Sequence, residues 1–231
     1  MEKSAVISAF FGGKYSKNSV NFIKIRQRRL KSPIHKPIIG LNQEAKSMNR
    51  LLEYYAFSRS EKLFQDAFFQ TAKPIFDTPE FQSLGQYIQH NDINRITHIL
   101  SVAYLSSKIA EHWGIDREST VKAAMLHDLF YYDWHDGDWS HRPHGLRHPR
   151  FALVNAKLLC GKELDKRTEN AILRHMWPLT IIPPKYAEGY ALTIADKICA
   201  SFELYYSQTP ARRTKMQEMI DRINETEAIQ K

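Results

Sequence analysis

The stretch Ala123–Leu129 constrains the fold of this chain most, because an apolar helical run ends there in an adjacent histidine and carboxylate. Its first four residues are apolar and predict the end of a buried helix, after which His127 and Asp128 follow. Burying an imidazole beside an ionised carboxylate costs free energy unless both groups have a partner. A divalent cation is one such partner, since imidazole nitrogen and carboxylate oxygen are common ligands of zinc, iron and manganese. Taken alone, however, such a pair is more often a helix-end histidine beside a capping or surface aspartate.

The preceding predicted helix, 93–113, carries a histidine on its apolar side. His98, Val102, Leu105 and Ile109 follow one another at steps of four, three and four residues, so their side chains share one face. A single histidine on such a face usually belongs to a hydrogen-bonded core. His98 therefore gains weight as a candidate ligand only if other segments show the same feature.

Further predicted helices also place a histidine or an aspartate inward or at a helix end. Helical spacing puts His175 on the apolar face of 163–177 and Asp196 on that of 187–206. His148 stands before a proline that opens another predicted helix. Five successive segments each have a histidine or an aspartate at an inward or helix-end position. This pattern favours a shared metal centre inside a helical bundle. The candidate ligands are His98, His127, Asp128, His148, His175 and Asp196.

The loop 131–147 connects two of these helices and is rich in charged and aromatic side chains. A long loop in a compact domain is usually functional or disordered, and its two tryptophans favour an ordered lid over a site. The loop also contains His141 and His144, which are alternatives to His148 as a ligand. His148 is preferred because the proline after it places it at a helix start.

Composition and charge predict one globular domain with a basic extension, and helical spacing without strand-like alternation predicts that this domain is all-α. A chain of 231 residues is long enough for one well-cored domain, and 43% hydrophobic and 25% charged residues are ordinary for a globular protein. Residues 1–50 hold eleven Lys and Arg against two Glu, so their charge of +9 exceeds the net +8 of the chain. We predict a basic, mostly irregular extension at 1–47, a helical domain at 48–225 with its metal-site core at about 93–206, and a frayed tail at 226–231.

Targeting and membrane signals are weak in this sequence. No stretch of about 18 apolar residues predicts a transmembrane helix, and no basic region precedes the first apolar patch as in a signal peptide. Cys160 and Cys199 lie in apolar helical contexts and are predicted to be reduced, as in a cytoplasmic protein. The basic extension could contact nucleic acid or an anionic membrane, or precede a native start at Met48. A solvated tail is favoured, because no reader motif or interleaved aromatic residue accompanies the charges.

The ordered set of candidate ligands resembles a known signature. His98, then His127 and Asp128, then Asp196 resemble the H…HD…D signature of the HD-domain superfamily of metal-dependent phosphohydrolases. The resemblance covers roughly residues 93–206, which is most of the predicted domain. It implies an all-α HD-domain helical bundle in which these four residues hold one divalent cation.

His148 and His175 resemble the six-ligand, binuclear version of the same signature. By this resemblance the two histidines hold a second cation, and Asp128 bridges the pair. The implied cofactors are two divalent metal ions, drawn from iron, manganese, cobalt and zinc. Ligand types alone do not decide between these metals.

The resemblance implies hydrolysis of a phosphoester or phosphoanhydride, and a nucleotide or dinucleoside polyphosphate is the expected small phosphorylated substrate. Two cations about 3.5–4 Å apart lower the pKa of a shared water and offset charge on the phosphoryl oxygens. Arg95 and Lys197 lie close to candidate ligands in sequence, so we expect them to act in catalysis with Asp128. The other residues expected to contact substrate are Arg147, Lys185, Asp133, His144 and Trp177. For each, a solvated surface group or a core residue is the alternative.

Two other functions stay open at this point. The six-ligand pattern also resembles the mixed-valent di-iron oxygenases of the same superfamily, which oxidise C–C or C–P bonds at the same ligand set. A regulatory or nucleic-acid-binding protein with a structural metal would instead use the basic extension, and its binding would depend on salt. Cyclic-dinucleotide phosphodiesterases are less similar, because no Gly-Tyr-Pro motif follows the His-Asp pair.

Overall fold

Helices form nearly all of the regular structure in the described part of the chain. The helices are α1 (Ile39–Phe57), α2 (Ala67–Phe76), α3 (Pro79–Gln82), α4 (Arg95–Trp113), α5 (Arg117–Leu126), α6 (His144–Cys160), α7 (Lys166–Arg174), α8 (Ala187–Ser207) and α9 (Pro210–Glu225). Short 3-10 helices lie at Glu61–Gln65, Ser83–Gln86 and Trp139–His141. The prediction of an all-α fold is therefore confirmed.

The computed structural model describes residues 39–161 and 164–226, with side chains described from residue 46 onward. Most of the predicted extension 1–47, and all but the first residue of the predicted tail 226–231, lie outside the described residues. Within the described ranges, no helix combines the length and the apolar character that crossing a bilayer requires.

α4 is the central helix of the bundle, and buried side chains run along most of its length. It packs against α5 and α8, and α7 packs on the same two helices. Val102 and Leu105 on α4 are fully buried, as their shared apolar face predicts, and His98 lies with them at 1% exposure. The inner faces of α4, α5, α7 and α8 therefore meet around the position of this histidine.

Side-chain caps begin α4 and α5, two helices of this core. Asn94 accepts a hydrogen bond from the Thr97 N–H at the start of α4, and Asp116 accepts one from the Ser119 N–H at the start of α5. Such caps satisfy N–H groups that the first helical turn leaves without a partner. Gly114 ends α4 in the left-handed conformation, with a φ of 65°, as expected of a C-terminal glycine.

The spacing of apolar residues predicts one helix over 48–69, but the structure contains two helices with a break between them. α1 ends before Ser58, and α2 begins after Asp66. The hydroxyls of Ser58 and Ser60 donate to backbone carbonyls three residues earlier, and the Asp66 side chain caps α2. These local hydrogen bonds compete with a continuous helix, which explains the break.

A small antiparallel hairpin of β1 (Ile88–His90) and β2 (Ile93–Asn94) precedes α4. The sequence predicts only a turn here, because strands of three and two residues are too short to show alternation. Asn91 adopts a φ of 50° in the turn, a conformation that asparagine tolerates better than most residues. The hairpin places Gln89 beside Asp128.

α6 begins at His144, earlier than the start that Pro149 predicts, so the loop 131–147 is shorter than expected. The ring of His144 stacks on that of His148 one turn later, with centroids 4.4 Å apart, and Phe130 packs against both rings. The two histidine rings can stack because they lie four residues apart on one helix. Their packing against Phe130 therefore favours a helix that starts before the position indicated by Pro149.

Replacing Leu105 with alanine tests the central place of α4. The leucine is fully buried, so its truncation leaves a cavity and should lower the free energy of unfolding by about 2–5 kcal/mol. Leu158→Ala is the matched control, because this leucine on α6 is 79% exposed and its loss should change that free energy by no more than about 0.5 kcal/mol. Denaturant unfolding followed by circular dichroism measures both. Equal losses in the two variants would contradict the packing described.

Candidate metal centre

Side chains from five segments converge at one place in the bundle. His98 extends from α4, His148 from α6 and Asp196 from α8, whereas His127 and His175 directly follow α5 and α7. The negative end of a helix dipole at the latter two positions favours a nearby cation. The converging residues are His98, His127, Asp128, His148, His175 and Asp196.

The first group of donor atoms surrounds Asp196 and one oxygen of Asp128. Nε2 of His98 lies 3.3 Å from Oδ1 of Asp196, and Nε2 of His127 lies 3.8 Å from the same oxygen. Oδ2 of Asp128 lies 3.9 Å and 3.6 Å from the two nitrogens. Four side chains thus place donor atoms around one small volume.

The second group surrounds the other oxygen of Asp128. Nε2 of His148 lies 2.8 Å from Nε2 of His175, and Oδ1 of Asp128 lies 3.3 Å and 3.9 Å from these nitrogens. The carboxylate of Asp128 therefore lies between the two groups and offers one oxygen to each.

Several of these atoms are buried without a hydrogen-bond partner among the described residues. They are Nε2 of His98, Nε2 of His127 and Oδ1 of Asp128. Nε2 of His98 lies 3.3 Å from Oδ1 of Asp196, but the two atoms form no hydrogen bond. Leaving buried polar atoms without a partner is costly. A divalent cation satisfies such a set of imidazole nitrogens and carboxylate oxygens, so the residues fit a metal.

Backbone carbonyls orient three of the imidazoles. Nδ1 of His127, His148 and His175 lies 2.7, 3.0 and 2.7 Å from a carbonyl oxygen three or four residues earlier. A carbonyl only accepts, so Nδ1 carries the hydrogen and the Nε2 lone pair faces the cluster. His98 differs, because its Nδ1 lies 2.9 Å from Oε2 of Glu203.

Charges and burial shift the pKa values of four cluster residues toward the protonation states that metal binding needs. Burial raises the pKa of Asp128, but the surrounding imidazoles outweigh it and hold that pKa well below its usual range. Burial also raises the pKa of Asp196, but the contact with His98 outweighs burial and holds that pKa well below its usual range. Burial lowers the pKa of His148 and of His175. Ionised carboxylates beside neutral imidazoles are the forms that coordinate a cation.

Two buried polar residues that the sequence patterns do not single out contact the cluster. Gln89 donates from Nε2 to Oδ2 of Asp128 at 2.7 Å, and Glu203 contacts Nδ1 of His98. Gln89 lies in the hairpin, where no helical period marks it. Glu203 follows Asp196 by seven residues and so repeats on the same face of α8, a spacing that could have identified it.

Arg95 is fully buried and supports Gln89. Its Nε donates to Oε1 of Gln89 at 2.9 Å, its Nη1 donates to the Phe130 carbonyl at 2.6 Å, and its guanidinium carbon lies 3.7 Å from the Phe130 ring centre. Burial lowers the pKa of Arg95 to about 10, which leaves it charged. The expected role of Arg95 in catalysis stays a prediction. In the structure, Arg95 holds Gln89 and, through it, Asp128.

Lys197 reaches the edge of the cluster. Its Nζ lies 3.4 Å from Oδ2 of Asp196 and donates to the His175 carbonyl at 3.3 Å. The side chain is 24% exposed, so the ammonium combines proximity to the donor atoms with access to solvent.

Aromatic rings cover the second group. The ring of His144 stacks on that of His148 and, at 5.2 Å and 14°, on that of Trp134. Nδ1 of His144 lies 3.2 Å from the Tyr132 hydroxyl, and burial lowers the pKa of His144 to about 3. Trp134 and Tyr132 of the predicted lid therefore pack against the cluster, whereas Trp139 is 79% exposed.

The remaining polar residues of this loop pair locally. Asp133 is exposed, and its Oδ1 accepts from the His135 N–H at 2.9 Å. Nε2 of His141 lies 3.0 Å from Oδ1 of Asp136. Of the histidines weighed for this position in the ligand set, His148 is the one that lies beside Asp128 in the second group.

The other residues expected to bind substrate make contacts of their own. Arg147 is exposed, and its guanidinium lies 5.5 Å from the Phe151 ring centre. Lys185 is exposed, and its ammonium lies 5.4 Å from the ring of the next residue, a tyrosine. Trp177 is half-buried and meets Tyr190 edge to face at 5.8 Å. Their contact with substrate stays a prediction.

Comparison with protein families identifies the domain that carries this cluster. Residues 95–201 match the family model described as HD domain. Neither the curated proteins nor the solved structures contain a significant match to the chain. The matched range spans the whole converging set, from His98 to Asp196, and the buried cluster of histidines and aspartate is consistent with the metal site of an HD domain. The chain therefore contains an HD domain, at residues 95–201.

Proposed function

We propose that this protein is a metal-dependent phosphohydrolase that cleaves a phosphoester or phosphoanhydride at a binuclear centre. The observation that carries the proposal is the position of Asp128, whose two oxygens face two different sets of histidines. A carboxylate placed in this way suits a bridge between two cations. The HD-domain match supports the same chemistry.

In this proposal His98, His127 and Asp196 hold one cation, and His148 and His175 hold the other, with Asp128 shared. When bound, two such ions lower the pKa of a shared water and offset charge on the phosphoryl oxygens. The chain's own contribution is orientation. The backbone carbonyls keep each Nε2 directed inward, and the stack of His144 on His148 excludes water from one side.

Lys197 is the candidate for direct contact with the reacting phosphate. Its ammonium is near the Asp196 carboxylate and partly exposed, so a phosphoryl oxygen beside the first group would lie within its reach. A fixed positive charge there favours the transition state, where negative charge builds up on those oxygens. Arg95 supports the site from behind, through Gln89.

A nucleotide or dinucleoside polyphosphate is the proposed substrate class. Arg147 and Lys185 are exposed cations near the chain segments that carry His148 and His175, and they could bind the more distant phosphates. Iron, manganese, cobalt and zinc all suit the ligand set, and cytoplasmic location stays a prediction.

Metal content tests the bridge. Wild-type protein prepared without oxygen should contain close to two ions per chain, and Asp128→Asn should contain one or none because both sites lose a ligand. Hydrolysis should fall by more than about 100-fold, beyond the usual effect of losing an outer partner. Asp138→Asn, in the exposed part of the lid, is the control and should keep both properties. Elemental analysis and phosphate release measure them. A fully active Asp128→Asn variant would remove the bridge.

The type of reaction is tested by turnover without oxygen. Nucleotides, dinucleoside polyphosphates and generic phosphoesters are incubated with Mn²⁺, Co²⁺ or Fe²⁺ under nitrogen. We expect hydrolysis of at least one class, and its loss when a chelator removes the metal, because hydrolysis needs water and the metal ions but no oxidant. Turnover that appears only with oxygen would instead support the oxygenase of the same superfamily.

Lys197→Gln tests the contact with phosphate. The variant should lower kcat by about 100-fold while metal content stays unchanged, because a transition-state charge partner is lost and no ligand is. Lys157→Gln on α6 is the control, since that lysine pairs with Glu169 at the surface, and it should match the wild type. Steady-state kinetics and elemental analysis give both values. A Lys197→Gln variant with wild-type kcat would contradict the assignment.

A further inference from the structure

Glu203 is a buried carboxylate that directly contacts a candidate ligand. Its side chain is 0% exposed, and its Oε2 and Oε1 lie 2.9 Å and 3.1 Å from Nδ1 of His98. Asp196 lies two turns earlier on the same face of α8 and meets Nε2 of His98 at 3.3 Å. One helix therefore presents a carboxylate to each nitrogen of this ring.

The contact with Glu203 decides which nitrogen of His98 faces the cluster. A carboxylate only accepts hydrogen bonds, so Nδ1 carries the hydrogen and Nε2 faces Asp196 and Asp128. The ring is thus held between two negative charges.

This support differs from that of the other imidazoles. Nδ1 of His127, His148 and His175 meets a backbone carbonyl, whereas Nδ1 of His98 meets a full negative charge. A carboxylate behind an imidazole makes the opposite nitrogen a stronger electron donor than a carbonyl does, and fixes the ring orientation. The two groups of donors are therefore unequal in strength.

We propose that Glu203 is a positioning residue that makes the first group, formed by His98, His127, Asp128 and Asp196, the tighter of the two cation sites. The inference rests on the proposed binuclear centre and deepens it, because it assigns the order in which the sites fill. Glu203 acts through His98 and touches neither cation nor substrate.

His90 suggests a competing role for the same carboxylate. Its Nε2 lies 3.9 Å from Oε2 of Glu203, and donor atoms of His90, His98 and Glu203 lie within 4.8 Å of one another, as in a small metal site. A cation there would require His98 to lose the hydrogen on Nδ1 and to bridge two ions with one ring. The 2.9 Å contact to Nδ1 supports the positioning role, and a third bound ion would overturn it.

The test compares Glu203→Gln with the matched control Glu188→Gln. Both glutamates are buried on α8, but Oε1 of Glu188 pairs with Nη1 of Arg167 at 2.8 Å. Metal-free protein is titrated with Co²⁺ under nitrogen, and the visible absorption of bound Co²⁺ reports each equivalent. In Glu203→Gln the first equivalent should bind about 10–100-fold more weakly and with an altered spectrum, while the second keeps its affinity. Glu188→Gln should match the wild type in both.

The outcomes separate this inference from the proposed function. If the wild type binds two equivalents of Co²⁺ and a folded Glu203→Gln variant binds the first with unchanged affinity, only the role of Glu203 is overturned. Three equivalents bound by the wild type would have the same consequence. A single wild-type equivalent that Glu203→Gln weakens would show that Glu203 strengthens the site at His98, but it would contradict the binuclear centre and with it the order of filling. No bound Co²⁺ would overturn both. If circular dichroism shows that Glu203→Gln does not fold, Glu203→Asp, which keeps the charge but shortens the side chain, provides the same comparison.

Discussion

The centre of this bundle depends on how the buried carboxylate of Asp128 is compensated. A carboxylate enclosed among helices is costly unless charges and hydrogen bonds surround it. Here four imidazole nitrogens lie within 3.9 Å of its oxygens, and Gln89 donates to one of them. Because those groups come from the hairpin and from four different helical segments, the packing of the helices and the geometry of the cluster depend on each other.

A second layer of contacts holds the cluster in place. Arg95 is fully buried and donates to Gln89 and to the Phe130 carbonyl, so these neighbours connect it to the cluster. Backbone carbonyls set three imidazoles, and Glu203 sets the fourth. Such outer partners orient ligands before a cation arrives, which lowers the cost of binding it. The layer also makes the two halves of the centre chemically distinct, since one of them has a carboxylate behind it.

Local periodicity predicted a large part of the fold and of the candidate site. The steps from His98 to Leu105 correctly indicated a buried face, and the ordered histidines and aspartates indicated the HD domain that the family match confirms. The break near Ser58 and the hairpin at Gln89 were not predicted, because a serine hydroxyl bonding to its own backbone and strands of two or three residues leave no period. The roles of the ligands and of Lys197 stay predictions.

The sequence by itself determined the helical class and the inward positions of the polar residues, because the helical period is a local property of the chain. Only the tertiary structure decided what those residues meet. Arg95 donates a hydrogen bond to Gln89, and Glu203 contacts His98, from which it is separated by 105 positions in the sequence. The two carboxylate oxygens of Asp128 face two different groups of histidines. The last two contacts join side chains from different helices, and the distances between them depend on how those helices pack, which no local pattern encodes.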